Sequence, residues 1–197
     1  MKEITVQVFD SFEETIKILE KKGFIKIEYF EMKDWYFTSL LPKEVEHCTY
    51  AYLLKNSFLV CHIVDDKSQV QLCYKMKELD EQENLINEEK IKVNVTDLNK
   101  TLEIFKKANV YNWCAIDTYS YVYKKNDIVF TLQNVKDLGL FIEYEEDDII
   151  NLEEKTDVIS VMINTLKSLG LTMGDDFYCK KVFLKFKKHT KIKRKKI

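Results

Sequence analysis

At 197 residues and 23.5 kDa, with 46% hydrophobic and 13% aromatic residues, the chain can build a real core and is too apolar to be disordered. One proline and four glycines leave no composition for a flexible linker, and no apolar run nears the roughly 18 residues of a membrane helix, so no membrane span is expected. The net charge of −2 hides a polarity: residues 180–197 carry ten Lys or Arg and no acid, which leaves 21 bases against 33 acids, a balance of −12, over residues 1–179.

Glu3, Thr5 and Gln7 alternate with Ile4, Val6 and Val8, the period-2 pattern of a strand with one buried face. Asp10 or Ser11 can then cap a helix, with Glu14 three residues after Ser11 as in a capping box. Phe12, Ile16 and Leu19 supply its apolar stripe, and Gly23 ends it. The same strand-then-helix order returns further on. Ile91, Val93 and Val95 alternate with Lys90, Lys92 and Asn94; Asp97 caps; Leu98, Leu102 and Phe105 form the stripe, and Asn109 stands where the glycine did. Two β-α units predict a doubled half-domain, with half-repeats at about 1–86 and 87–186, rather than a solenoid of three or more repeats.

Strand-rich sequence follows each copy. FIKIEYF, DWYFTSLL, CTYAYLLK, SFLVCHIV and SQVQLCYKMK follow the first; VYNWCAIDTYSYVYKK, DIVFTLQNV and GLFIEYEE follow the second. Residues 55–57, 65–67 and 125–127 read as hairpin turns. A helix over about 156–169 stopped by Gly170, and a short amphipathic helix around 177–186, complete the domain. Eight or so antiparallel strands with three or four helices predict an α+β fold. So many strands in a small chain predict a closed or nearly closed barrel with the helices packed outside. Several strands are polar on one face, as with Gln69, Gln71, Cys73 and Lys75, or Glu143 and Glu145, so a wet, ligand-holding interior is a candidate.

The five scattered cysteines form no C-x-x-C pair, so reduced thiols are expected and structural zinc is not. The opening strand pattern lacks a signal-peptide core, and the cytoplasm is the expected compartment. The basic tail 187–197 can attract nucleic acid or an anionic membrane surface, or lie across the acidic body. Its last residues interleave no aromatics for base stacking, so nucleic acid is not the expected partner.

The doubled strand-helix order, closing on V-K-D-L-G-L-F-I-E-Y-E at 135–145 and then L-K-S-L-G-L at 166–171, resembles the CYTH superfamily, the triphosphate tunnel metalloenzymes. Class IV adenylyl cyclases, thiamine triphosphatases, inorganic triphosphatases and RNA 5′-triphosphatases belong to it. The sharpest part of the resemblance is L-G-x-F-x-E-x-E ending at Glu145. It implies an eight-stranded tunnel in a single domain over 1–186, with basic residues on a triphosphate and glutamates on one or two Mg²⁺ or Mn²⁺ ions. The chemistry asks for both: converging cations for the polyanion, and hard carboxylate oxygens for the metal.

Carried over residue by residue, the family's E-x-E-x-K falls on Glu3, Thr5 and Gln7, so one glutamate is kept and the second acid and the lysine are replaced. The paired arginines of a later strand fall near Val60 and His62, and the next lysine on Lys75. Glu88 or Glu89 matches the acids opening the second repeat. The K-x-R pair falls near Thr118 and Ser120, and an aspartate falls on Gln133. Glu143 and Glu145 are kept. Arg194 is the sole arginine, so lysines would have to replace the family's arginines, and Lys serves phosphate only as a point charge.

The expected metal ligands are therefore Glu3, Glu143 and Glu145, and the expected phosphate contacts Lys75, Lys90 and Lys92. The expected function is metal-dependent phosphohydrolase or adenylyl cyclase action on an organic or inorganic triphosphate. The alternatives are a catalytically inactive tunnel holding a different ligand, and an interaction scaffold using the basic tail.

Overall fold

The computed structural model describes residues 3–49, 52–53, 59–64, 69–79, 81, 85–146 and 157–194. The repeated sentence in the sequence is repeated in the backbone. Strand β1 (Glu3–Val8) leads into helix α1 (Phe12–Lys21), capped by Ser11: the Glu14 amide donates to Ser11 Oγ at 3.2 Å and the Ser11 amide to Glu14 Oε2 at 3.1 Å. That reciprocal pair satisfies two helix-end donors. At the other end the Gly23 amide bonds Glu20 O at 2.9 Å and the Phe24 amide bonds Leu19 O at 3.0 Å, a Schellman close with Gly23 at φ +83°.

The second copy runs from β5 (Leu85–Val95) into α3 (Leu98–Lys107), with Asp97 Oδ1 accepting from the Lys100 amide at 3.0 Å. It closes the same way, Asn109 to Lys106 O and Val110 to Phe105 O, with Asn109 at φ +57°. Asparagine tolerates this left-handed backbone better than other non-glycine residues.

The remaining elements are β2 (Ile25–Thr38), α2 (Pro42–Val45), β3 (Leu59–Val64), β4 (Gln69–Leu79), β6 (Tyr111–Lys125), β7 (Ile128–Val135), β8 (Gly139–Glu145), α4 (Val158–Ser168) and α5 (Lys181–Arg194). The fold is α+β with antiparallel strand pairs, hydrogen-bonded in the order β1-β8-β7-β6-β2-β3-β4-β5. The described pairs do not close this order into a barrel. The outer edge of β1 is taken instead by residues 172–179: the Thr5 amide bonds Phe177 O and the Cys179 amide bonds Thr5 O, at 2.9 and 3.0 Å. This strap satisfies edge groups that would otherwise be unpaired.

Three expectations about single elements change. FIKIEYF and DWYFTSLL are one strand, β2, because nothing between Phe30 and Asp34 turns the chain. Of the expected strand at 48–55, residues 52–53 are helical, with the Leu53 amide bonded to Thr49 O. The last helix begins at Lys181 and runs to Arg194, through a stretch with no glycine or proline to stop it. The turns at 55–57 and 65–67 lie outside the described residues, whereas Asn126-Asp127 does join β6 to β7.

The chain divides into two compact units, residues 1–30 with 118–180, and residues 31–117 with 181–197; the cuts fall inside β2 and β6. In the first unit Ile4, Val6, Phe130, Leu132, Ile142 and Tyr144 pack with Leu19 of α1 and Met162 and Leu166 of α4. In the second, Phe37 meets Phe105 of α3 edge-on at 5.0 Å, with Trp35, Leu72 and Leu102 around them. Each of these sheet faces thus has helices on its apolar side, which leaves the opposite side to the polar alternates.

Candidate metal centre

The polar face of the first unit follows from strand register, because directly opposed antiparallel residues share a face. Glu3 lies opposite Glu145 and Thr5 opposite Glu143; Glu143 is also opposite Thr131. The next row runs Gln7, Phe141, Gln133, Ser120 across β1, β8, β7 and β6.

Glu3, Glu143 and Glu145 each offer a carboxylate oxygen, and these oxygens lie within 4.8 Å of one another; all three residues are half-buried. It is the one group of three or more acidic, His or Cys ligands found among the described residues. Thr5 Oγ1 donates to Glu3 Oε1 at 3.4 Å, and the Thr5 backbone is held by the 172–179 strap, so β1 is fixed beside the carboxylates. Carboxylate oxygens this close can share one cation. The donor set fits a hard divalent ion: all oxygen, partly exposed, with fewer protein ligands than an octahedral ion takes. The three glutamates expected as metal ligands are therefore brought together.

The expected phosphate contacts lie in the second unit. Lys75 of β4 stands directly opposite Lys90 of β5, and Lys92 opposite the fully buried Cys73. Lys75 and Lys90 are half-buried and Lys92 is exposed. Like charges placed opposite one another destabilise a strand pair, and an anion shared between them reverses that effect. Glu88 pairs with Lys77 and Glu89 with Met76 in the same ladder, and His62 falls in register between Asp34 and Gln71.

The positions where the resemblance expects a K-x-R pair and an aspartate are neutral and deeply placed. Thr118, Ser120 and Gln133 are all buried, and Ser120 Oγ has no hydrogen-bond partner among the described residues.

Two buried charged residues escaped sequence reasoning: Asp34 on β2 and Lys185 on α5, both in the second unit. Lys185 sits among Val182, Phe183 and Phe186 at helical spacing, a signal that the basic composition of the segment hid. Its charge acts on Cys114, whose Sγ lies 3.7 Å from Val182 O. Burial nevertheless pushes the Cys114 thiol up to about 11, so it stays protonated at neutral pH.

Over 170 residues the chain is 28% identical to a Methanocaldococcus jannaschii protein named "Putative adenylate cyclase MJ0240", spanning 86% of this chain and 89% of that one. Solved structures share the fold. A conserved hypothetical protein of Pyrococcus furiosus superposes on this chain with TM-score 0.66 at 19% identity, covering 93% of this chain and 99% of its own. A Hippeastrum protein described as a putative adenylyl cyclase with dominant triphosphatase activity gives TM-score 0.60 at 14% identity, covering 95% of each. A putative adenylate cyclase of Vibrio parahaemolyticus gives 0.58 at 14%, covering 87% and 88%. No family profile matches the chain. Among its described residues no helix is long and apolar enough to cross a membrane.

Proposed function

We propose that this is a divergent, cytoplasmic CYTH-like protein that uses Mg²⁺ or Mn²⁺ to act on a triphosphate-containing substrate, as a phosphohydrolase or an adenylyl cyclase. The observation that carries the reading is the convergence of Glu3, Glu143 and Glu145 on one patch of sheet. A divalent ion held there would supply charge that offsets that of phosphate oxygens. The three glutamates hold it, Thr5 braces Glu3, and Lys75, Lys90 and Lys92 supply the phosphate contacts. The resemblance implies a tunnel in a domain ending near residue 186, with the remainder acting as a basic tail.

A second reading keeps the metal centre and the tunnel but loses catalysis. The neutral Gln7, Ser120 and Gln133 favour it, since each stands where the resemblance calls for charge.

Turnover separates the two. Release of phosphate or pyrophosphate is measured from ATP, thiamine triphosphate and tripolyphosphate, with Mg²⁺ and with Mn²⁺, for wild type and Glu143→Ala. The first reading expects metal-dependent release that the variant loses. Absence of release with every substrate and metal would leave the second.

A further inference from the structure

The doubled strand-helix unit leaves two outer edges, one at each end of the strand order: β1, which opens the first copy, and β5, which opens the second. The edge of β1 is bonded by the 172–179 strap. Among the described residues no strand pairs with the outer edge of β5. Ile91, Lys92, Val93 and Asn94 follow one another along it, all exposed, so both faces of the strand meet solvent.

One of those faces is apolar. Tyr74 lies opposite Ile91, Leu72 opposite Val93 and Val70 opposite Val95, so all six side chains share a side. Leu98 and Leu102 of α3 pack with Val70 and Leu72 in the second unit's core. Beyond that cover Ile91 stays 61% exposed, Val93 56% and Tyr74 39%. An apolar, unpaired strand edge is a template for another strand.

The sequence of β5 matches a second copy of itself. A twofold axis normal to the sheet sets two β5 strands antiparallel with their apolar sides together, so odd residues meet odd ones. Centring the axis on Lys92 opposes two lysines, and centring it on Ile91 sets each Lys90 against a Lys92. Centring it on Val93 avoids both. Val93 then meets Val93, Ile91 meets Val95, and Lys92 meets the neutral Asn94, which leaves the lysine its charge for the polar side. An edge lysine ordinarily discourages pairing; here it selects one register. A net charge of −2 per chain opposes association only weakly.

We propose that the outer edge of β5 binds β5 of a second copy, antiparallel and centred on Val93, giving a twofold dimer whose sheets continue across the seam. Residues 91–95 alone make a seam short of the roughly 20–30 residues a side of a standard interface, so the dimer forms as concentration rises. The proposal stands apart from the metal-dependent reading, because Glu3, Glu143 and Glu145 take no part in it.

The test is sedimentation equilibrium over a concentration series, on the full chain, for wild type, Val93→Lys, Asn94→Asp and Asn94→Lys, each checked for its fold by circular dichroism. Wild type is expected to move from the 23.5 kDa of one chain toward twice that mass. Val93→Lys puts two ammonium groups on the axis and is expected to stay monomeric. Asn94→Asp keeps the acceptor that Gln71 Nε2 uses at 3.4 Å and faces each Lys92 with a carboxylate. It is expected to tighten the dimer by about two- to thirtyfold, and Asn94→Lys to weaken it by a similar factor. Should Val93→Lys misfold, the two variants at the exposed Asn94 still decide. Wild type that stays monomeric to its solubility limit, or assembles beyond two chains, overturns the proposal. So does a dimer whose affinity neither Asn94 variant moves.

Discussion

Glu3 and Glu145 stand directly opposite one another on β1 and β8, and Glu143 follows one pleat along, so three like charges occupy one patch of a strand pair. That placement offers a hard divalent cation a ready ligand set.

Saturating Mn²⁺ is therefore expected to raise the melting temperature. A ligand at about 100 times its dissociation constant adds about 2.7 kcal/mol, and each kcal/mol moves a chain of this size by about 2–4 °C, giving a shift of roughly 5–10 °C. Glu143→Gln keeps the volume and is expected to cut the shift by about half or more. Differential scanning fluorimetry with and without Mn²⁺ checks both.

The two helix stops make opposite predictions. Gly23 sits at φ +83° with no atom nearer than 3.7 Å to a Cβ placed there, so Gly23→Ala meets backbone strain rather than a clash and is expected to cost about 1–2 kcal/mol. Asn109, at φ +57° in the matching position, is expected to gain a few tenths of a kcal/mol on replacement by glycine. Urea unfolding of the two variants measures each.

Cys114 gives a pH signature. Its thiol is raised from the ordinary 9.0 to about 11 by burial, so the folded chain keeps a proton that the unfolded chain releases. The stability from this group is fully present below pH 9 and is lost as the pH rises through about 11. A Cys114→Ala variant should show a shallower loss of stability between those limits. At pH 7.5 a thiol-reactive dye should label Cys114 only when the chain unfolds.

Lys75 and Lys90 face each other across β4 and β5. If they serve phosphate, Lys75→Met weakens tripolyphosphate binding by about 10- to 100-fold, the loss of one charge-assisted contact. It should also leave the melting temperature of the ligand-free protein unchanged or higher, because a like-charge pair is removed. Calorimetry against thermal melting separates the two effects.

Local chemistry was legible in the sequence. Ser11 with Glu14, Asp97, Gly23 and Asn109 mark both helices because caps and stops depend on neighbours within four residues. The glutamate set was legible through resemblance: Glu143 and Glu145 belong to the sharpest motif in the chain, and Glu3 opens the pattern that pairs with it. Long-range pairing was not legible. The strap at 172–179 satisfies β1 through backbone groups, which carry no residue signature. The unbroken β2 hides because its middle reads Glu31-Met32-Lys33, neither a turn nor a clear alternation. The facing of Ser120 and Gln133 becomes visible only through the register of β6 against β7.

The measurement that bears most directly on the central claim is a Mn²⁺ titration followed by electron paramagnetic resonance, on wild type and on Glu3→Gln, Glu143→Gln and Glu145→Gln. The account predicts that wild type binds Mn²⁺ and that each variant weakens it by roughly tenfold or more, since replacing even a residue that only supports a metal ligand has that effect. Wild type that leaves Mn²⁺ free, or binding equally tight in all four proteins, would contradict it.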